Sequence, residues 1–111
     1  MSNSKQAVLT SMNIWNIEDK ELLSLLIARE GGKTTRRIID KLLNKPYNKH
    51  QLAKKLKLDY KTISHHIDMI EEHDYATKVT IGKITYYQPS KKLFNSLEEY
   101  KFIKEYLKNN K

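Results

Sequence analysis

The sequence is short of the residue types that build covalent, metal and phosphate-loop sites. Its 111 residues include no cysteine and only three glycines, so disulfides and thiolate metal sites are excluded. The run Gly31-Gly32-Lys33-Thr34 lacks the upstream glycine and the preceding strand that a P-loop requires. No apolar run approaches the roughly 18 residues of a transmembrane helix, and no signal peptide is recognisable. These absences predict a cytoplasmic protein without a membrane partner.

Candidates for catalysis or metal binding are also scarce. His65 and His66 are adjacent, so on a helix they point about 100° apart and cannot share a metal ion within one protomer. The pairs Glu71-Glu72 and Glu98-Glu99 are neighbours on solvated helix faces, without an apolar pocket that would prepare a carboxyl group for acid–base chemistry. No nucleophile stands with a base in a recognisable arrangement. We therefore predict no enzyme activity, no metal site and no cofactor.

Acidic residues are scarce in one part of the chain. The sequence has 21 lysine and arginine residues against 13 aspartate and glutamate residues, a net charge of +8. Ten of the basic residues but only two acidic ones, Asp40 and Asp59, lie between positions 33 and 66, so this segment carries the whole surplus. Such a concentration is expected of a surface that faces phosphates. The alternative is a lysine-rich sequence that drifts basic without a nucleic-acid partner.

The stretch 48–75, which overlaps this basic segment, has the pattern of two helices joined by a turn. Asn48 is suited to cap the first helix, with Gln51 three residues on, and Asp59 can cap the second. Apolar residues recur at helical spacing in both helices, at Leu52, Ala53 and Leu56 and then at Ile63, Ile67 and Ile70. A short helix, a polar turn and a longer helix with a polar outer face predict a helix-turn-helix, whose second helix fits a DNA major groove.

The second of these helices resembles the recognition region of ArsR-like winged helix-turn-helix regulators, and of their small archaeal members in particular. The residues that carry the likeness are Thr62-Ile63-Ser64-His65-His66-Ile67 and Ile70, and the likeness spans about residues 17–90. The Gly-Leu-Val that usually follows is replaced here by Asp74-Tyr75-Ala76. The resemblance implies a winged helix-turn-helix fold and DNA binding. In this family, metal sensors bind the metal through cysteines, or through His and Asp pairs on the final helix. This chain has no cysteine and no histidine on its final helix, so the resemblance does not imply a metal site.

After the second helix the apolar period changes from 3.6 to 2, between Tyr75 and Gln88. Val79 and Ile81 alternate with polar residues, and Gly82-Lys83 can form a two-residue turn with glycine first. The pattern predicts a β-hairpin, the wing. Lys78 and Lys83, on or beside its tip, are placed to contact the DNA backbone or a minor groove.

We expect twelve side chains to contact DNA. Ser64 and His65 would meet base edges, and Lys61 would reach a guanine or a phosphate. Arg36 and Arg37, at the start of an earlier helix, would grip a phosphate, although surface arginines also simply face water. The full predicted set is Arg36, Arg37, Lys49, His50, Gln51, Tyr60, Lys61, Thr62, Ser64, His65, Lys78 and Lys83.

Two further helices precede the helix-turn-helix. Residues 1–13 predict a flexible arm, and Asn16 can cap a leucine-rich helix with an acidic first turn. Gly31-Gly32 would stop that helix. Thr34 or Thr35 would open the next one, which Asn44 and Pro46 would end.

The last stretch, 91–111, carries a heptad-like apolar seam. Its members are Leu93, Leu97, Tyr100, Ile103 and Leu107, at spacings of four, three, three and four residues. We predict a single dimerisation helix with Trp15 as its neighbour. The alternative is that this helix folds back over its own domain.

These patterns predict a mainly α protein with a small β-hairpin. The fold would be a winged helix-turn-helix, with four helices followed by the hairpin and a final helix. The protein would be dimeric through its terminal helices. The DNA-binding domain would span 14–90. The predicted function is that of a repressor-like, sequence-specific regulator of transcription that binds double-stranded DNA. Helix 60–73 would enter the major groove, and wing 75–88 would lie on the flanking backbone. A small-molecule effector is left open, with a ligand-gated sensor as a variant of this function. The alternative function is a winged-helix module that docks only on proteins of the transcription machinery.

Overall fold

The structure, a computed structural model, describes residues 13–109. The predicted arm over 1–13 therefore lies outside the described residues, apart from Asn13. In chain order the elements are a 3₁₀ turn (Ile14–Asn16), α1 (Lys20–Ile27), α2 (Gly32–Asn44), α3 (Lys49–Leu56), α4 (Tyr60–Glu72), β1 (Ala76–Ile81), β2 (Ile84–Pro89), α5 (Lys91–Asn95) and α6 (Leu97–Asn109). In this described part of the chain, no helix is long and apolar enough to cross a membrane.

Both helices of the predicted helix-turn-helix begin at their predicted caps. The Asn48 side chain accepts from the Gln51 N–H, and the Gln51 side chain accepts from the Asn48 N–H, a capping box that opens α3. The Asp59 carboxylate accepts from the Thr62 N–H at 2.7 Å and opens α4. That bond holds the pKa of Asp59 below its ordinary value. Lys57 ends α3 in a left-handed conformation, so the predicted turn is confirmed.

The first helix begins three residues later than predicted. Asn16 does not cap it, because the Asn16 side chain accepts from the Asn13 N–H and closes the preceding 3₁₀ turn. The cap is Asp19, whose carboxylate accepts from the Leu22 N–H at 3.0 Å. The acidic residues thus marked the start of the helix only approximately, since Glu21 alone of them lies in the first turn of α1.

Gly31 and Gly32 open α2 rather than closing α1. Gly31 has φ 95°, in the left-handed region that favours glycine. A Cβ on Gly32 would lie 2.6 Å from the carbonyl oxygen of Leu26. The close reversal between α1 and α2 therefore needs two residues without side chains, and α2 starts two residues before Thr34.

The apolar stripes of the helices meet in one core. Ile63, Ile67 and Ile70 of α4 are fully buried, as their spacing predicts. Other fully buried aliphatic side chains are Ile17, Leu22, Leu26, Ile38, Ile39, Leu52, Leu93 and Ile103. Because α4 uses its whole apolar face to pack on the domain, its polar face is left to point outward.

The junction of α4 with the wing explains why Asp74-Tyr75-Ala76 can replace Gly-Leu-Val. Asp74 has φ 67°, a left-handed conformation that aspartate tolerates better than most residues with a side chain. Tyr75 is fully buried and Ala76 nearly so. The aspartate therefore keeps the turn that a glycine would make, and the tyrosine fills the core below it.

β1 and β2 form the predicted wing as an antiparallel pair. Ile81 lies opposite Ile84, so Gly82 and Lys83 make a two-residue turn in which Gly82 has φ 66°. Tyr87 of β2 exchanges backbone hydrogen bonds with Tyr47, just ahead of α3. These bonds fix the wing to the entry of the helix-turn-helix.

The terminal segment is two helices rather than the predicted one, and most of its seam packs on its own domain. α5 ends at Asn95 and α6 begins at Leu97. Leu93, Tyr100 and Ile103 are buried in the core of the same chain. Their apolar surface is already covered, which corrects their predicted place in a dimer interface.

Polar contacts also hold α6 against the domain. The Tyr100 hydroxyl donates to the Asp40 carboxylate at 2.6 Å, and the Lys104 ammonium lies 3.0 Å from the same oxygen. The Glu99 carboxylate accepts from the N–H groups of Glu18 and Asp19 at 2.8 and 3.0 Å. The helix is thus anchored to α2 and to the start of α1.

Asp19 connects three separate parts of the fold. Besides the Leu22 N–H, its carboxylate accepts from the Tyr75 hydroxyl at 2.7 Å and the Ser96 hydroxyl at 2.6 Å. It thereby joins the start of α1 to the root of the wing and to the break between α5 and α6. Partial burial raises the pKa of Asp19, but the hydrogen bonds from Ser96, Tyr75 and Leu22 outweigh burial and leave the pKa below its ordinary 3.8.

The lowered pKa of Asp19 predicts an acid-sensitive contribution to stability. The ionised carboxylate stabilises the fold above pH 3.8, and this stabilisation is lost as the pH falls through the folded pKa below that value. Asp19→Asn keeps the acceptor oxygen but has no proton to bind. In urea unfolding, the difference in unfolding free energy between wild type and Asp19→Asn should be constant at neutral pH and shrink below pH 3.8. A pH-independent difference would contradict this role.

Candidate nucleic-acid interface

The outward face of α4 carries most of the predicted base-reading residues. Tyr60, Lys61 and His65 are exposed, and Thr62 and Ser64 are half-buried. Because Ile63, Ile67 and Ile70 face the core, Lys61 and His65 lie on the opposite side of the helix. Thr62 and Ser64 flank that side, and Tyr60 stands at the start of the helix. The first two turns of α4 thus present hydroxyl, imidazole, phenol and ammonium groups to an approaching duplex.

Lys49, at the start of α3, points at the recognition helix instead of at solvent. Its ammonium donates to the Ser64 hydroxyl oxygen at 2.8 Å and lies 3.0 Å from the Asp68 carboxylate. Burial is the largest single effect and lowers the pKa of Lys49, but the hydrogen bond with Asp68 and the electrostatic interactions with Tyr87, Asp68 and Tyr60 together outweigh it. The pKa is therefore raised, and the group is charged. Only 19% of its side chain is exposed. Of the predicted DNA contacts, Lys49 is the one whose ammonium already binds two side chains within the protein.

A cleft of about 390 Å³ lies between the helix-turn-helix and the wing. His50 and Tyr60 form part of its wall, and their rings stack with centroids 4.5 Å apart. Lys83 reaches the same cleft from the wing. The structure thus brings together residues from α3, α4 and the hairpin that are 33 positions apart in the sequence.

Lys78 and Lys83 of the wing differ in their surroundings. Lys78 lies 4.0 Å from the carboxylate of Glu71 on α4, so part of its charge is offset. Lys83 is exposed on the turn and has no carboxylate within 4 Å among residues 13–109. Of the two, Lys83 is the freer cation for a phosphate.

Arg36 and Arg37 are used inside the fold. Arg36 donates to the Leu26 carbonyl oxygen at 2.7 Å, at the end of α1. Arg37 donates to the Leu56 carbonyl oxygen at 2.8 Å, at the end of α3. Both satisfy helix carbonyls that have no partner in their own helix. These bonds use only part of each guanidinium, which has five N–H donors, so a phosphate contact by Arg36 and Arg37 stays a prediction.

His66 packs inward against the reversal between α1 and α2. Its Nδ1 donates to the Thr62 carbonyl oxygen at 2.9 Å, which fixes the ring. A Cβ on Gly31 would lie 2.8 Å from His66 Nε2. The two adjacent histidines therefore have different roles, since His65 is exposed and His66 is a packing residue. Among residues 13–109, no three acidic or histidine side chains stand close enough to bind one metal ion.

The sequence did not indicate the wing's contribution to the wall of the cleft. Ile84, Thr85 and Tyr87 of β2 line it together with Asn48. Period-two alternation assigned Tyr87 to the sheet, but it could not say which face of the hairpin would turn toward α3. The pairing of Tyr47 with Tyr87 decides this, and that bridge joins residues 40 positions apart.

The fold and this interface define a winged helix-turn-helix protein. Residues 32–78 match the model of the family described as "Bacterial regulatory protein, arsR family". The matching segment runs from α2 into β1 and is less than half of the chain. No curated protein matches the sequence.

Solved structures of transcriptional regulators share the fold across more of the chain. BldR from Sulfolobus solfataricus is 17% identical, covers 97% of this chain and 81% of its own, and has a TM-score of 0.64. The regulator SlyA is 21% identical, with 96% and 73% covered and a TM-score of 0.59. Reduced HlyU from Vibrio cholerae is 16% identical, with 74% and 87% covered and a TM-score of 0.55. At these identities the likeness establishes the winged helix-turn-helix fold.

The contact between Gly31 and His66 predicts unequal effects of two glycine substitutions. Gly31→Ala and Gly82→Ala both place a side chain at positive φ, which costs about 1 kcal/mol. A Cβ at Gly82 meets nothing within 4 Å, whereas one at Gly31 meets His66. We expect Gly31→Ala to lower the unfolding free energy by roughly 1 kcal/mol more than Gly82→Ala, measured by urea unfolding. The excess should vanish when His66 is also changed to alanine, and an unchanged excess would contradict this contact.

Proposed function

We propose that this protein is a transcription regulator that binds double-stranded DNA through α4 and the wing. The observation that carries the proposal is the cleft between the helix-turn-helix and the wing, where Lys83, His50 and Tyr60 converge beside the exposed start of α4. The match to the arsR family over 32–78 supports it. We also propose that the protein is related to the small archaeal regulators that its recognition region resembles.

The proposed contacts divide by chemistry. His65 and Ser64 would meet base edges in the major groove, and Tyr60 would lie at the groove's edge. Lys61 and Lys83 would contact phosphates on either side. Asp68 and Glu72 lie further along α4, so the helix would enter the groove by its first two turns.

The competing function is a winged-helix module that docks only on protein. The surplus of +8 within 33–66 favours DNA, because a protein partner does not require so one-sided a charge. Purified protein would be titrated with random and genomic duplexes between 50 and 200 mM salt, conditions over which several phosphate contacts lower affinity steeply. Loss of affinity with salt and enrichment of particular genomic fragments are the expected results. Absence of duplex binding at the lower salt concentration would refute the proposal.

The different surroundings of Lys78 and Lys83 predict different salt dependences. Lys83→Ala should reduce the slope of log affinity against log salt by about 0.9, the value for one lost phosphate contact. Lys78→Ala should reduce the slope by less, because Glu71 already offsets part of that charge. Fluorescence anisotropy on one duplex at four salt concentrations would measure both slopes. Equal slopes for wild type and Lys83→Ala would mean that the hairpin tip does not touch DNA.

We further propose that the protein is a homodimer, as the pairing of two half-sites about 34–36 Å apart on one DNA face requires. The interface would be formed by the apolar side chains near the two ends of the chain that remain exposed in the single chain. Trp15 is 79% and Phe94 54% exposed, unusually high for residues of this size. Trp15 lies three residues before Glu18, whose N–H donates to Glu99 of α6. Leu97 and Leu107 would add their exposed halves.

The dimer proposal predicts that glutamate substitutions of exposed and of buried apolar residues in the terminal segments have different effects. Trp15→Glu with Phe94→Glu should give a folded monomer, because both side chains are exposed in the single chain. Ile103→Glu should unfold the domain, because Ile103 lies in its core. Sedimentation equilibrium and circular dichroism would separate these results. A wild-type monomer, or a double variant that remains dimeric, would contradict the proposed interface.

A further inference from the structure

The Lys49 ammonium occupies an unusual position for a lysine in a basic interface. Lys61 and Lys83 are exposed, whereas Lys49 Nζ lies between Ser64 Oγ at 2.8 Å and Asp68 Oδ1 at 3.0 Å. It also lies 5.9 Å from the centre of the Tyr87 ring. The Lys49 side chain thus contacts two successive turns of α4 and also β2 of the wing. A lysine has three N–H donors, and two of them are engaged within the protein.

The contact with Lys49 changes what Ser64 can do. A hydroxyl group can donate one hydrogen bond and accept two. The ammonium donates to Ser64 Oγ, so one lone pair is used and the oxygen stands beside a positive charge. The hydroxyl hydrogen remains available, and the charge makes it a stronger donor. A DNA base that faces Ser64 with a hydrogen-bond acceptor is therefore favoured over one that faces it with a donor.

Base edges in the major groove differ in this property. Guanine offers O6 and N7, adenine offers N7, and thymine offers O4, all of them acceptors, whereas cytosine offers the N4 amino donor. A donating Ser64 discriminates against cytosine. The bond from Lys49 to Asp68 acts in the same direction, because it offsets a carboxylate that would otherwise accept from an amino group close by and repel phosphates.

We propose that Lys49 is a positioning residue that fixes Ser64 as a hydrogen-bond donor toward one base, and so selects an acceptor-bearing base over cytosine at that position. This inference rests on the proposed function, because it requires α4 to lie in the major groove. It replaces the predicted direct contact of Lys49 with DNA. The ammonium acts through Ser64 and does not touch the DNA.

The experiment compares base preference with salt dependence. Wild type, Lys49→Met and Lys83→Met would be offered duplexes randomised over the selected site, and the relative affinity for each base would be read at every position. Lys49→Met should lower the preference against cytosine at one position by about three- to tenfold, the range for one hydrogen bond. Its salt slope should stay that of wild type. Lys83→Met, the matched control, should lose about 0.9 of slope and keep every base preference.

Two further variants test whether Lys49 acts through Ser64. Ser64→Ala should lose the same preference at the same position, and Lys49→Met with Ser64→Ala should lose no more than either alone. Lys49→Arg, which can still donate to both partners, should retain the preference. Ser64→Ala changes one oxygen only, so it keeps the inference testable even if Lys49→Met does not fold.

The outcomes separate this inference from the proposed function. If wild type discriminates among bases and both Lys49→Met and Ser64→Ala discriminate equally well, the role of Lys49 is refuted and DNA recognition stands. If Lys49→Met loses about one unit of salt slope with unchanged preferences, Lys49 is a phosphate contact. If wild type binds every duplex equally, the proposed sequence-specific function fails and the inference fails with it.

Discussion

The arrangement of the whole domain depends on one carboxylate. Asp19 caps α1, accepts from the hydroxyl of Tyr75 at the root of the wing, and accepts from Ser96 where the terminal helices change direction. Removing a charged acceptor from three donors at once would leave groups in or near the core without partners. One side chain therefore ties the root of the wing and the C-terminal segment to the start of α1. Glu99 reinforces this arrangement, since it caps the same helix start from α6.

The recognition surface depends in turn on polar groups at helix ends. Asn48 and Asp59 set where α3 and α4 begin, and Arg36 and Arg37 bind the carbonyl ends of α1 and α3. These contacts hold short helices whose isolated stability in water would be marginal. The exposed side chains of α4 can point outward because the helix beneath them is fixed at both its start and its apolar face. The proposed DNA contacts thus rely on residues that hold the helices in place.

Structural features that depend on neighbouring residues could be predicted from the sequence, whereas contacts between distant residues could not. Caps at Asn48 and Asp59, the stripe of Ile63, Ile67 and Ile70, and the Gly82-Lys83 turn each depend on residues a few positions apart. The seam of α6 was visible as a stripe, but periodicity cannot say whether the surface that covers it belongs to the same chain or to another. The inward turn of Lys49 and the use of Arg36 and Arg37 depend on partners 10 to 19 residues away. Composition marked these residues as basic without showing which charges the fold itself uses.

One consequence of the charge distribution concerns the free protein. Residues 41–58, which run from the end of α2 through α3, contain six lysines and no acidic residue. Like charges this close along the chain repel each other and weaken the compact state. Counterions screen the repulsion when the protein is alone, and phosphates would replace them in a complex. Holding these charges together in advance leaves the free domain with electrostatic strain, which a bound duplex would relieve.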